Sequence, residues 1–268
     1  MWKTSFLGWA LASMLILTGS ASADSFTFTS AGSVTWNGVY VNPYSANDNT
    51  QIQNNPLTIY CDDWNTDFSG TPTWNANVYQ LTLGNTSHFK YGNTTPEYNV
   101  TLDTVHNTLG VTSVPLVLPT DSFKRYLEAA WLDDQWQNIL TAAAIAHTTP
   151  DADAQRKIAA AVWTLFVDPT HVGSPPSDPT TGLVGAINSS GYATAVNTYL
   201  VAAQTAVAGG YLAPGWDVII PTGNTFAMQE FLVHGFSGDT VPEPSAVILL
   251  GTVIGYLGLT KFRRKRQA

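Results

Sequence analysis

Charged residues are scarce in this chain. Only 11% of its 268 residues are Asp, Glu, Lys or Arg, well below the roughly 25% of an ordinary soluble domain. Threonine, asparagine, serine and glutamine supply most of the polarity instead, a composition common in exported β-rich proteins. The length allows one large domain or two small ones, with enough chain for a sizeable hydrophobic core.

Basic residues are almost absent from the middle of the chain. Residues 24–241 hold five basic side chains against eighteen acidic ones, and five of the other six basic residues lie within the last eight positions. Binding to nucleic acid needs clustered Lys and Arg side chains that neutralise phosphates. We therefore expect no nucleic-acid partner.

The chain has a single cysteine, which excludes an internal disulfide framework. Its five histidines are scattered without the paired spacing of a zinc site, and no glycine-rich phosphate loop or GxSxG motif occurs. Asp62, Asp63 and Asp67 are hard oxygen donors suited to calcium, but they lack the full loop pattern of a calcium site. We expect no metal ion and no cofactor.

The N-terminus has the pattern of a secretory signal peptide. Lys3 supplies a positive charge, residues 6–17 form an apolar run, and the residues before Asp24 read ASA, a small-residue cleavage site. The apolar run is short for a spanning helix and no stop-transfer charge follows it. We predict that residues 1–23 are removed by cleavage between Ala23 and Asp24, which implies export across the inner membrane.

The C-terminus combines a short apolar segment with a basic cluster. Residues 245–260 span less than the ~30 Å hydrocarbon core when helical, at about 1.5 Å per residue. Local thinning of the bilayer can relieve that mismatch, so we expect a short transmembrane helix. The basic tail, residues 261–266, would stay in the cytoplasm by the positive-inside rule. Its cluster consists of Lys261, Arg263, Arg264, Lys265 and Arg266.

The motif VPEP precedes this apolar segment and consists of Val241, Pro242, Glu243 and Pro244. Each proline fixes its own φ and favours an extended conformation at the residue before it, so an enzyme at the membrane surface could reach the backbone. Motif, short helix and basic cluster, in this order, resemble the PEP-CTERM sorting signal. The resemblance implies that residues 241–268 are recognised by an exosortase, a membrane protease-transferase of Gram-negative bacteria that make exopolysaccharide. A permanent anchor without processing is the alternative.

Residues 24–240 predict an extracellular α+β domain whose first part is rich in strands. Residues 25–118 alternate aromatic or β-branched side chains with small polar ones, the period of half-buried strands. Asn37-Gly38 lies between two such runs and favours a hairpin turn. We expect this part to form a sandwich or a barrel.

Helical periodicity replaces the strand pattern over residues 121–208. Three stretches repeat apolar residues at helical spacing, and Asp121 is a plausible N-cap of the first one. Residues 216–236 then contain two further strand patterns, WDVIIP and EFLVHGF. We interpret the helices as an insertion, and we expect the closing strands to rejoin the first sheet.

The stretch IYCDDW around Cys61 and the helical stretch IAAAVWTLF resemble the thioester domains of bacterial surface adhesins. In that family, the cysteine condenses with a Gln four residues before the helical Trp, and the thioester captures nucleophiles on a target surface. Trp163 matches this pattern, but Ala159 stands in the position of the Gln. The resemblance therefore implies a thioester-like scaffold without its crosslink, unless Gln155 or Gln135 takes over. Cys61 would then be a small buried residue, a reactive thiol or an intermolecular disulfide partner.

Two acidic pairs beside tryptophans offer an enzymatic alternative. Asp62-Asp63 and Asp133-Asp134 would serve a glycosidase if carboxyls from the two pairs met at about 5–9 Å, with tryptophans stacking on the sugar. In the simpler interpretation, the first pair bonds to loop amides while the second faces solvent or caps neighbouring loops.

These features together predict a non-enzymatic, exported protein of the cell envelope or extracellular matrix. Exosortase, the membrane and extracellular polysaccharide are its expected partners. A carbohydrate-active hydrolase that uses the paired aspartates is the alternative.

Overall fold

The computed structural model of the chain describes residues 23–36, 39–41, 43–50, 56–62, 72–81, 86–92, 99–100, 116–117, 121–166, 183, 186–222 and 230–236. All of them belong to one compact unit, Ala23–Asp239. The predicted signal peptide up to residue 22, the sorting motif, the apolar segment and the basic cluster lie outside the described residues.

A strand-rich part precedes the helices and two further strands follow them, as the sequence predicts. The strands are β1 (Asp24–Ser30), β2 (Thr35–Trp36), β3 (Val39–Tyr40), β4 (Tyr44–Asp48), β5 (Pro56–Cys61), β6 (Thr73–Gln80), β7 (Asn99–Val100), β8 (Leu116–Val117), β9 (Trp216–Pro221) and β10 (Phe231–His234). The helices are α1 (Ser122–Ala146), α2 (Ala152–Phe166) and α3 (Ala193–Ala208). The α+β prediction is therefore confirmed.

Six strands close into an antiparallel barrel in the order β1-β4-β5-β10-β9-β6, and β6 pairs back to β1. β9 and β10 follow the helices in the chain, yet they lie between β5 and β6 in the barrel. The helices are thus an insertion between barrel strands. This confirms that the closing strands rejoin the first sheet.

Alternate side chains of the six strands fill the barrel with aromatic and aliphatic groups. The ring of Trp74 lies 5.8 Å from that of Phe26 and 5.9 Å from that of Phe231. The buried members of this interior are Phe26, Phe28, Tyr44, Ala46, Ile59, Trp74, Ala76, Val78, Ile219, Phe231 and Val233. Because closure leaves no free edge strand in the barrel, this core holds together without disulfides.

The helices cover the outer face of the barrel. Tyr60 lies between Ile59 and Cys61, whose side chains face the interior of the barrel, so its own side chain points outwards. Its ring centroid lies 5.9 Å from that of Trp136 on α1 and 5.5 Å from that of Trp216. α1 packs against α2 and α3, which also pack against each other. Among the described helices, none is both long and apolar enough to cross a bilayer.

Aspartate side chains cap the starts of α1 and α2. The Asp121 side chain accepts a hydrogen bond from the Phe123 amide at 3.0 Å, which confirms the predicted cap of α1. Asp151 accepts from the amides of Asp153 at 2.9 Å and Ala154 at 3.1 Å at the start of α2. These bonds satisfy amides that have no partner within the helix.

We expect Phe231→Ala to destabilise the domain by about 3–5 kcal/mol, because it empties the centre of the barrel interior. Val201→Ala on α3 is the control, since Val201 is 46% exposed and should change stability by less than about 0.5 kcal/mol. Chemical denaturation of both variants measures the difference. Equal effects would contradict the assignment of Phe231 to the barrel core.

Candidate functional site

Cys61 ends β5, and its side chain points towards the barrel interior. It pairs with Phe231 of β10 in the antiparallel register, and it is half-buried against the interior cluster. Its carbonyl, in contrast, accepts a hydrogen bond from the Trp163 indole of α2 at 3.1 Å. α2 therefore contacts Cys61 through the backbone, while the direction of the thiol follows the strand.

Gln155 and Gln135, the alternatives to Ala159 under the thioester resemblance, both make other contacts. Gln155 is buried and accepts a hydrogen bond from the Trp136 indole at 3.2 Å, which joins α2 to α1. The Gln135 amide donates to the carbonyl of Trp131 within α1 at 3.5 Å. Ala159 itself is 1% exposed in the packed face of α2. Alanine has no carboxamide group from which a thioester could form.

Asp133 is buried, and the expectation that it faces solvent is wrong. Its carboxyl is fully enclosed, and neither oxygen has a hydrogen-bond partner in the described part of the chain. Burial, with a smaller contribution from the neighbouring Asp134 carboxylate, raises the pKa of Asp133 well above its ordinary value. The physical reason is that α1 is covered on more than one side, so a polar residue on it can still be enclosed.

Asp134 joins α1 to the segment that leads into β9. Its carboxylate accepts hydrogen bonds from the Tyr211 hydroxyl at 2.5 Å and from the Trp216 indole at 3.0 Å. This arrangement agrees with the expectation that a residue of this pair caps a neighbouring loop. Both donors, Tyr211 and Trp216, belong to one short stretch after α3. Asp134 therefore holds that stretch against α1.

A second acidic pair forms where β5 ends and β10 begins. The register that pairs Cys61 with Phe231 places Asp62 opposite Glu230, and the Asp62 side chain is close enough to affect the pKa of Glu230. Both residues are enclosed, with at most 1% exposure. Asp63, the other member of the predicted pair, lies outside the described residues.

Glu230 contacts two further parts of the fold besides Asp62. It accepts a hydrogen bond from the Tyr126 hydroxyl of α1 and another from the Lys90 amide at 2.8 Å. Burial raises the pKa of Glu230, and burial together with the nearby Glu230 carboxylate raises that of Tyr126. Sequence analysis did not select Glu230, although an acidic residue directly before the apolar run FLV was a usable signal.

The described residues contain no group of three or more His, Cys, Asp or Glu arranged to hold a metal ion. Asp62 of the calcium alternative lies in the enclosed pair with Glu230, whereas Asp63 and Asp67 lie outside the described residues. The hydrolase alternative needs carboxyls that substrate can reach, but Asp62 and Asp133 are both fully buried. Among the described residues, Asp62 and Asp133 therefore lie in no open cleft.

An open cleft does exist elsewhere, between one mouth of the barrel and the C-terminal half of α1. Its volume is about 430 Å³, within the roughly 300–1,000 Å³ usual for small-molecule sites. Its polar lining residues are Asp48, Thr58, Tyr60, Gln137, Thr141 and His234. We call it the barrel-mouth cleft.

Comparisons of this chain with protein-family models, with curated proteins and with solved structures find no match.

Two further buried carboxyls have raised pKa values. Desolvation raises the pKa of Glu128 on α1 to about 8 and that of Asp217 on β9 to about 7. A carboxyl whose pKa rises on folding binds more protons in the folded state, so stability falls as pH rises through the interval between the unfolded and folded values.

We expect no methylamine adduct on this protein, because Ala159 has no carboxamide whose carbonyl could form a thioester with a thiol, and the Cys61 side chain follows the interior face of the strand. Ala159→Gln should also form no adduct, although it restores the residue type that thioester domains have. Intact-mass analysis after exposure to methylamine checks both forms. A mass increase in Ala159→Gln alone would show that the thiol can reach α2.

Asp217→Asn should reduce the loss of stability between about pH 4 and pH 7, because it removes a carboxyl that must be desolvated while charged. Each pKa unit corresponds to about 1.4 kcal/mol, so relative to wild type the variant should gain about 2–4 kcal/mol on going from pH 4 to pH 8. Urea denaturation at several pH values measures this. The exposed Asp151, whose cap function does not need burial, supplies Asp151→Asn as the control.

Proposed function

We propose that this chain is an exported protein of the cell envelope or extracellular matrix, without enzymatic activity, which an exosortase sorts through its C-terminus. The observation that carries the proposal is the order of three elements at the end of the chain: the motif at residues 241–244, the apolar segment at 245–260 and the basic cluster at 261–266. Export is proposed from the signal peptide pattern of residues 1–23.

The bounds of the folded unit support this proposal. The compact unit is Ala23–Asp239, and Asp24 already pairs with Ala76 as the first residue of β1. All six barrel strands and the three helices lie between these bounds. A domain built in this way keeps every element when the segments before Ala23 and after the VPEP motif are removed.

The buried carboxyls support a non-enzymatic role. Asp62 and Asp133, one from each predicted acidic pair, are both enclosed, and Asp134 joins α1 to β9 through the Trp216 indole. A hydrolase would place its acid and its nucleophile or base around an accessible bond. The structural use of these groups favours a scaffold over the carbohydrate-active hydrolase.

The expected partners of this protein follow from its C-terminal segments and from the composition of its domain. The precursor would be held in the inner membrane by residues 245–260 until the exosortase acts, and the domain would then reach the outer surface or the matrix. A domain with few charges and many hydroxyl and amide groups is suited to contact extracellular polysaccharide. The excess of acidic side chains disfavours nucleic acid.

The proposal predicts that the mature protein in its native host lacks most residues after the VPEP motif. Pro242→Ala combined with Pro244→Ala should prevent this processing, because the backbone around Glu243 is then free to leave the extended conformation. Intact-mass analysis of protein from the native host measures the loss directly. Deletion of the host exosortase should give the same unprocessed mass.

Pro214→Ala is the matched control, since Pro214 is an exposed proline before β9 and its replacement should leave processing unchanged. Wild-type protein that retains residues 245–268 in the native host would refute exosortase sorting. Fractionation that places the folded domain in the cytosol would refute export as well.

A further inference from the structure

A short segment that follows β6 in the chain, residues 86–92, is hydrogen-bonded to Glu230. We call this segment the strap. Its Lys90 amide donates to the Glu230 carboxylate at 2.8 Å, and its next amide, that of Tyr91, donates to the Tyr126 hydroxyl at 3.2 Å. The Tyr126 hydroxyl in turn donates to Glu230. Two successive amides of the strap therefore depend on one carboxylate, the first directly and the second through a hydroxyl.

The two ends of the strap meet at Ser122, the first residue of α1. The Thr86 and Ser122 hydroxyl oxygens are 3.0 Å apart, and the Ser122 hydroxyl donates to the Gly92 carbonyl at 2.7 Å. A Cβ on Gly92 would lie 1.5 Å from the Thr86 carbonyl oxygen, so the ends are in direct contact. The strap is thus a closed loop, held at its base by Ser122 and at its middle by Glu230 and Tyr126.

One side of the strap faces the protein and the other faces solvent. Phe89 and Tyr91 are buried, and the Phe89 ring lies 4.7 Å from that of Tyr126. Residues 87–88 are exposed, and Lys90 is half-buried. On this side, a single segment of chain separates the carboxylate that the strap contacts from solvent.

The acceptor beneath the strap belongs to a pair of enclosed carboxyls. Asp62 lies opposite Glu230 in the strand register, and each is at most 1% exposed. Asp62 from β5, Tyr126 from α1 and Lys90 from the strap are the titratable or charged residues that act on Glu230. Burial raises the pKa of Glu230, against the smaller lowering effects of these three residues. Two adjacent carboxyls shielded from water do not both ionise readily, so the pair keeps a proton while it stays enclosed.

We propose that the strap is a proton-dependent closure: it stays closed while the Asp62–Glu230 pair keeps a proton, and it opens when both carboxyls are ionised. Opening lets water reach the second charge, and its hydration offsets the hydrogen bonds that the strap loses. β5 and β10 are each paired on both sides in the barrel, and α1 packs against two helices. The strap is therefore the part of the enclosure that yields first.

Amide hydrogen exchange of the full chain in detergent micelles, followed by NMR between about pH 5 and pH 8, tests this closure. Each rate is divided by the intrinsic rate at that pH to give a protection factor. A carboxyl whose pKa is higher in the closed form stabilises that form at low pH, and this contribution is lost as pH rises through the higher value. The protection factors of Lys90 and Tyr91 should therefore fall about tenfold or more over this range. The barrel amide of Val218, the reference for global unfolding, should lose less.

Three variants assign the effect to the carboxyl pair. Asp62→Asn and Glu230→Gln each leave a single carboxyl, so the fall in protection should shrink to about threefold or less. Ser122→Ala is the matched control, because it loosens the base of the strap without removing a titratable group. It should lower the protection factors of the strap by a similar factor at every pH.

Protection of Lys90 and Tyr91 that does not change with pH in the wild type, or that falls only in parallel with Val218, would overturn the proposal. This comparison needs no variant, so it decides even if a substitution prevents folding. A fall that persists undiminished in both Asp62→Asn and Glu230→Gln would overturn it as well. The exchange of these amides does not involve residues 241–268, so the outcome is independent of exosortase sorting.

Discussion

The antiparallel pairing of β10 with β5 is the constraint on which the rest of this structure depends. It brings strands on either side of the helical insertion together, and it completes the barrel between β5 and β9. The same register turns Cys61 towards the interior and Tyr60 towards α1. It also places Asp62 opposite Glu230. A shift by one residue would exchange the two faces, because strand side chains alternate.

Burial of acidic groups follows directly from this arrangement. Asp62 and Glu230 lie at the strand ends where the helices cover the barrel, and Asp133 lies on the part of α1 packed against other elements. Low dielectric surroundings favour the protonated form of a carboxyl, which then donates a hydrogen bond. Asp62 and Asp133, the acidic residues for which the sequence suggested catalysis, are enclosed between packed elements. The hydrogen bond from the Trp163 indole to the Cys61 carbonyl likewise joins α2 to the barrel.

Much of the fold could be predicted from the sequence because its periods are strong. The helical stretches, the aspartate cap of α1 and both closing strands occur within a few residues of their expected positions. β4 was not predicted, because YSAND lacks the β-branched pattern of a strand. Ala46 becomes a strand residue through pairing with both neighbours, β1 and β5, and Tyr44 through pairing with β5. Such pairing is a tertiary property that no local pattern contains.

The sequence by itself determined the terminal patterns from which export and sorting are proposed, and the alternation of strand and helix patterns, since both depend on residues close together in the chain. Only the tertiary structure decided which polar residues are enclosed. Asp133 and Asp134 are adjacent in sequence, yet one is sealed from solvent and the other binds Tyr211 and Trp216. The barrel-mouth cleft likewise joins β4, β5, β10 and α1. The physical reason is that burial and cavities arise from contacts between distant segments.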